Sequence, residues 1–234
     1  SVTPAALSDG DVPVGGVVVQ SLDLSPGTLM IGEGTTAASP DPVALQRLSL
    51  QTTPPGASLA ADLMVLRVGA LGSLASSHVT ELALYHDENG DSLFSAVTDV
   101  FVASAAWAGT EWRFGDPANG RAPLQEVDPI RTHLTTTARR YFLTVRLSST
   151  GYAYGELPSS LGLVQPNPAF LVFSTASQVG AAANNFPFQS GPVSVNRAPG
   201  LVRVQSSDIA AWWNGTDVQG QALGVSSYPY VDRG

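Results

Sequence analysis

RYFLTVRLS, residues 140–148, alternates without a break: Tyr141, Leu143, Val145 and Leu147 fall on one side of an extended chain, and Phe142, Thr144 and Arg146 on the other. Period two with β-branched and aromatic residues marks a strand with one wet face, because a helix would repeat its apolar residues every third or fourth place. ALQRLSLQ (44–51) has the same form, with Leu48 and Leu50 opposite Arg47, Ser49 and Gln51. Elsewhere along the chain, strands are expected at GVVVQSLDL (16–24), DLMVLRVGAL (62–71), HVTELALYH (78–86), DVFVASAA (99–106), TEWRF (110–114), AFLVFST (169–175) and GLVRVQS (200–206). Between them stand the turn clusters SPGT (25–28), SPDP (39–42), TTPPG (52–56) and QPNP (165–168). Short half-buried strands with hardly any amphipathic helix predict an all-β chain. The form expected is an antiparallel β-sandwich, Ig-like or jelly-roll-like, with long loops and at most one or two short helices.

Residues 43–175 are expected to hold the sandwich core. Residues 1–42 form an N-terminal segment whose Val14, Val17, Val18, Val19 and Leu22 suit a strand that adds to the sheet edge of a neighbouring chain, or an ordinary first strand of the same domain. Residues 176–234 read as a loop-rich extension packed on the same domain, with 177–196 a loop. Gly115 to Thr137 reads as a long excursion or an inserted hairpin, and SSDIAAWWNG (206–215) as a short helix or a strand.

Composition narrows the function classes. With 44% hydrophobic and 13% charged residues, the 234-residue chain can bury a core. Lysine is absent, and 11 arginines face 19 acidic residues for a net charge of −8, a balance unsuited to nucleic acid. Without cysteine there are no disulfides, thiolate metal sites or cysteine nucleophiles. The most apolar stretch, residues 59–75, contains Asp62 and Arg67 and is no membrane span. Richness in Ser, Thr, Gly, Pro, Ala and Val points to an extracellular or cell-surface protein. The opening SVTPAALSDG has neither the basic stretch nor the apolar core of a signal peptide, so either none exists or it has been removed. No G-x-S-x-G, H-E-x-x-H or Gly-rich phosphate motif occurs, and the three histidines, His78, His86 and His133, are scattered, so no enzyme is expected.

The stretch that carries chemistry is YHDENGDSLFSAVTD (85–99). Counted from Asp87 as position one of a calcium loop, side-chain oxygens fall at Asp87, Asn89 and Asp91, a backbone carbonyl at Leu93, and Ser95 is placed to hold a water. Position six is Ser92 where glycine is usual, and position twelve is Thr98, with the carboxylate of Asp99 one place late. The same residues also make a metal-free hairpin connection in which Asn89-Gly90 supplies left-handed torsions. The local pattern is compatible with both.

VTELALYHDENGDSLFSAVTDVFVAS (79–104) and TTTARRYFLTVRLSST (135–150), preceded by PVALQRLSLQ and LMVLRVGA, resemble the β-sandwich modules of bacterial secreted and cell-surface proteins that carry an Asp-x-Asn-Gly-Asp loop. Adhesins, surface layers and appendages contain such modules. The resemblance covers residues 43–175 and implies Ca2+ at Asp87, Asn89, Asp91 and Asp99. It also implies a non-enzymatic structural role, assembling with copies of itself or with other envelope proteins. A carbohydrate-binding module is the rival reading, since Trp107, Trp112, Trp212 and Trp213 are available to stack on sugar rings. Trp212, Trp213, Tyr228 and Tyr230 are candidate contacts for a ligand or partner, and Asn214-Gly215-Thr216 is a glycosylation sequon.

Overall fold

A computed structural model describes residues 16–31, 42–52, 61–148, 156–174 and 186–197. In chain order its strands are β1 (Val17–Asp23), β2 (Thr28–Ile31), β3 (Val43–Thr52), β4 (Ala61–Leu71), β5 (Val79–His86), β6 (Val100–Ser104) and β7 (Ala106–Trp107). There follow β8 (Glu111–Phe114), β9 (His133–Leu134), β10 (Arg139–Leu147), β11 (Ser159–Gln165), β12 (Leu171–Phe173) and β13 (Phe188–Arg197), with the one-turn helices α1 (Leu124–Val127) and α2 (Pro129–Thr132) before β9. No helix among the described residues is long and apolar enough to cross a membrane.

The first sheet has five strands in the order β1-β3-β10-β5-β6. The second runs β2-β13-β11-β4-β8-β7, with β9 and β12 also paired to β4. Every pairing is antiparallel except that of β2 with β13, which is parallel. The expected all-β, sandwich-like architecture with two short helices is what the chain adopts.

Alternation explains the core. Tyr141, Leu143, Val145 and Leu147 of β10 are buried together with Leu48 and Leu50 of β3, Leu66 and Val68 of β4 and Phe114 of β8. Removing such a side chain from water contributes roughly 1.5–3 kcal/mol. The register between β3 and β10 slips once: Leu143 pairs with Gln46 and Thr144 with Ala44, so Leu45 is skipped. That slip lets adjacent Leu45 and Gln46 both be fully buried, which strict alternation forbids.

The sandwich also recruits strands from outside residues 43–175, namely β1, β2 and β13. β11 and β13 lie where the pattern shows no strand or a loop, because Gly162 interrupts the first and Gly191-Pro192 the second. At Gly162 an added Cβ would come 2.6 Å from the Ser190 carbonyl oxygen, so only glycine permits the close approach of β11 to β13. Residues 115–137 fold as a long excursion between β8 and β10 rather than as a hairpin. They form a 3-10 turn (Pro117–Asn119), α1, α2 and β9, with Asp128 Oδ1 accepting from Arg131 N at 3.1 Å to cap α2. The run expected at 169–175 contracts to β12, behind a 3-10 turn (Pro168–Phe170) capped by Asn167. GLVRVQS and SSDIAAWWNG lie outside the described residues.

Val17 and Val19 enter the main core, and β1 pairs with β3 of its own chain, so the segment considered for strand exchange serves here as the first strand of its own domain. Val18 is also buried, Leu22 is exposed, and Val14 is outside the described residues.

Candidate metal centre

Residues 87–99 leave the end of β5 and drape over the outer face of the first sheet. Phe94 fastens them there. Its ring meets Tyr85 edge-on at 5.2 Å and Phe142 at 5.5 Å, and Tyr85 meets Phe101 at 5.6 Å. Ala83, Tyr85 and Phe142 thereby form a second small core, packed by Leu24 and Phe94 on the face that alternation assigned to water. Each such aromatic pair adds about 0.5–1.5 kcal/mol beyond its area.

Inside the loop the acidic and amide side chains serve first as backbone acceptors. Asp87, whose side chain is fully buried, accepts from Gly90 N at 2.8 Å and from Ser92 N at 3.1 Å. Asn89 Oδ1 accepts from Asp91 N, while its Nδ2 donates to Asp91 Oδ2 at 2.9 Å and to the Thr98 hydroxyl at 3.3 Å. Asp91 Oδ1 accepts from Leu93 N at 2.7 Å. Position one thus orders the turn, and position three reaches across to position twelve. Ser92 takes φ 67°, the left-handed torsion that a calcium loop requires at position six, although it has a side chain.

Three arginines hold the loop from outside, among them Arg140, whose pairing with Arg139 in the sequence reads as a solvated strand end. Arg47 Nη1 donates to Ser92 O at 3.0 Å, and Arg140 Nη1 donates to Gly90 O at 3.1 Å while lying 3.5 Å from Asp87 Oδ2. Arg131 Nε donates to Glu88 Oε2 at 2.9 Å, and His86 Nδ1 lies 3.0 Å from the same oxygen. These contacts, Arg131 first, hold the Glu88 carboxyl below its ordinary range. The register that brings Tyr141 opposite His86 places Arg140 beside the loop, a relation between strands that no local motif encodes.

Asp99 differs from the others. Its Oδ2 accepts from Ser95 N at 2.7 Å, but the buried Oδ1 has no hydrogen-bond partner, although the residue is only 5% exposed. Burial raises its pKa, the Ser95 N–H bond lowers it, the Asp87 and Asp91 charges raise it further, and the Glu88 backbone N–H, which lies outside hydrogen-bond geometry, pulls weakly the other way. A buried carboxylate oxygen without a donor wants a proton or a cation. The side chains along this loop, Asp87, Asn89, Asp91 and Asp99, offer hard oxygens save the Asn89 amide nitrogen, a chemistry that suits calcium rather than zinc or copper. Turning that amide end for end would present its oxygen in place of its nitrogen. In the conformation described, no group of three or more His, Asp or Glu side chains among the described residues is gathered closely enough to hold a metal. Leu93 directs its side chain to solvent, at 70% exposed.

The other candidates separate. His78 pairs with Glu156 and His86 with Glu88, at opposite ends of β5. On β9, His133 Nδ1 lies 2.8 Å from Asp62 Oδ1, and Asp62 Oδ2 accepts from Gln125 Nε2 and the Ser174 hydroxyl. That is a carboxylate shared among three groups, and the hydroxyl bonds to the aspartate rather than to the imidazole, unlike a nucleophile–base pair. Trp112 is buried in the main core, so it is no sugar platform, and Trp107, partly exposed, meets it edge-on at 4.6 Å. Trp212, Trp213, Asn214, Tyr228 and Tyr230 lie outside the described residues. No family model, curated protein or solved structure matches the chain.

Proposed function

We propose that this protein is a non-catalytic structural module of the extracellular space or cell surface, and that a calcium ion held by the Asp87–Asp99 loop fastens that loop over the first sheet. Copies of the module assemble with one another or with other envelope proteins through strand edges and terminal segments. The observation that carries the metal reading is the buried, unpartnered Oδ1 of Asp99, beside the Asp87 and Asp91 charges. A divalent cation supplies the missing partner and offsets that charge. Because Phe94 sits in the same loop and on the aromatic cluster, occupancy stiffens the cover of the sheet as well as the loop. Leu93, Val97 and Phe101, exposed at 70%, 94% and 47%, provide apolar contact area along the loop and the strand it enters.

Calcium titration followed by thermal unfolding tests the metal reading. The melting temperature is expected to rise and saturate with calcium in the wild type and to stay flat in Asp99→Asn; a wild type indifferent to millimolar calcium removes the claim. Negative-stain microscopy of concentrated protein tests assembly. Absence of polymers, together with no partner in cell-surface pull-downs, removes that part.

A sugar-binding reading keeps one supporting observation, the 39% exposure of Trp107. Binding on a glycan array that disappears in Trp107→Ala would favour it over the structural module.

A further inference from the structure

We infer that the arm comprising β1 and β2 is an exchangeable element, and that the place it fills along both sheets accepts the same arm from a second copy of this chain. The inference rests on the reading of the protein as a self-assembling module and names the surface and the partner.

Among the described residues β1 is the edge strand of the first sheet and pairs only with β3, from Val17 opposite Thr52 to Asp23 opposite Gln46. Among the same residues β2 is the edge strand of the second and pairs only with β13, from Thr28 beside Ser194 to Ile31 beside Arg197. Between them the chain crosses from one sheet to the other: Leu24 N donates to Leu45 O, Gly191 N to Asp23 Oδ2 and Ser194 N to Gly27 O. One continuous segment therefore borders both layers. Because both its strands are edges, it leaves without breaking any pairing among the other described strands.

What it leaves behind is specific. Val17, Val19 and Ile31, at 0%, 4% and 7% exposed, fill the margin of the main core, and Ser21 Oγ accepts from Gln46 Nε2 at 2.8 Å inside it. A body without the arm presents that apolar margin, the one Gln46 N–H that had donated to Ser21, and two rows of unpaired backbone groups on β3 and β13. The arm of another copy matches every one of these by identity of sequence.

Topology singles out this side of the sandwich. At the opposite side the chain also crosses between layers, from β6 through Ala105 to β7, but there it is continuous with β5 before and β8 after. Every other described strand follows the arm in the chain, and residues 32–41 connect it to β3, each spanning at most about 3.5 Å when extended. Reciprocal exchange closes a two-fold dimer, and one-way exchange propagates an open chain of copies.

Gln20 and Ser49 face each other across β1 and β3, and the chain has no cysteine. Gln20→Cys and Ser49→Cys placed in separate full-length chains can join in register only when the arm of one lies on the β3 of the other. The two variants are unfolded together, refolded and oxidised, alongside a Gln20→Cys with Ser104→Cys control whose sites lie on opposite edges of the sheet. Mass spectrometry is expected to find the Gln20→Cys/Ser49→Cys heterodimer in large excess over the control; parity with the control overturns the inference. With both cysteines in one chain and oxidised within the monomer, the arm is locked, and assembly is expected to be lost and to return on reduction. Assembly that persists in the locked monomer overturns arm exchange while the self-assembly reading stands. Wild-type chains that never assemble bring down both.

Discussion

Gln46 and Asp99 are both buried polar side chains, and they are buried in opposite ways. Between the sheets, Gln46 and Gln165 exchange hydrogen bonds of 2.8 and 3.0 Å, each fully buried, and Gln46 also donates to Ser21. That pair is neutral and supplies its own donors and acceptors. Asp99 carries charge, satisfies one oxygen, and leaves the other without a donor near Asp87 and Asp91. A polar group that closes on itself specifies how two layers fit. A charged group left half-satisfied costs stability, and this is the difference between a polar contact that closes within the fold and one that does not.

The contrast is tested most severely at the interior pair. Gln165→Ala removes a partner and leaves a cavity beside an unsatisfied Gln46 amide, and it is expected to cost about 3 kcal/mol in urea unfolding. Gln46→Leu combined with Gln165→Leu should cost under about 1 kcal/mol, because both polar groups go together. A single change as mild as the double would show that the pair is not self-contained.

At the loop, calcium at about a hundredfold excess over its dissociation constant should stabilise the wild type by about 2.7 kcal/mol and leave Asp99→Asn unmoved. Phe94→Ala, which detaches the loop from Tyr85 and Phe142, should cost about 2 kcal/mol in denaturant unfolding. If it costs nothing, the second small core contributes nothing to folding.

Without metal, Asp99→Asn should stabilise at neutral pH by up to about 1 kcal/mol, since it keeps an acceptor for Ser95 N and removes the buried charge. The sign follows from the raised pKa of Asp99: its contribution to stability is fully present below the unfolded carboxylate pKa and is lost as pH rises through the higher folded value. The gap between wild type and variant should therefore close on acidification. Asp23 and Glu88 act in reverse. Burial raises Asp23, but hydrogen bonds from Ser25 and Gly191 outweigh it and leave the carboxyl lowered, while Arg131 foremost lowers Glu88, so both contribute above the carboxylate range and lose that contribution as pH falls. Unfolding midpoints of the two proteins across the acid range read out the difference. The smallest change is expected from Ser92→Gly, which relieves a left-handed torsion and should gain about 0.5 kcal/mol by the same measurement.

Most of the strand layout was legible because one face of each strand had to be apolar and the other wet. RYFLTVRLS, ALQRLSLQ and HVTELALYH carry that demand in every second residue, and each became a strand within a residue or two of the expected bounds. Legibility failed where packing overruled the period. Gly162, Gly191 and Pro192 look like breaks, yet they sit inside β11 and β13, because at Gly162 the strands approach too closely for a side chain and the register shifts there past Gly191, which takes a left-handed φ of 60°, and Pro192. Leu45 and Gln46 are adjacent and both buried because the register slips opposite them. Phe142 reads as outward and wet until Phe94 arrives to cover it.

The candidate site divides along the same line. Asp87, Asn89 and Asp91 were visible as a loop motif because local spacing sets their chemistry. Arg47, Arg131 and Arg140 were not, since each reaches the loop from an element distant in the chain. The order of residues alone set which segments extend and which face of each seeks the interior, for these depend on neighbours two positions apart. It took the folded chain to establish which strands border both layers, which amides close on one another, and which carboxylate oxygen is left without a donor. Those depend on contacts between residues far apart in the chain, and solvent exclusion acts on the assembled surface rather than on the local pattern.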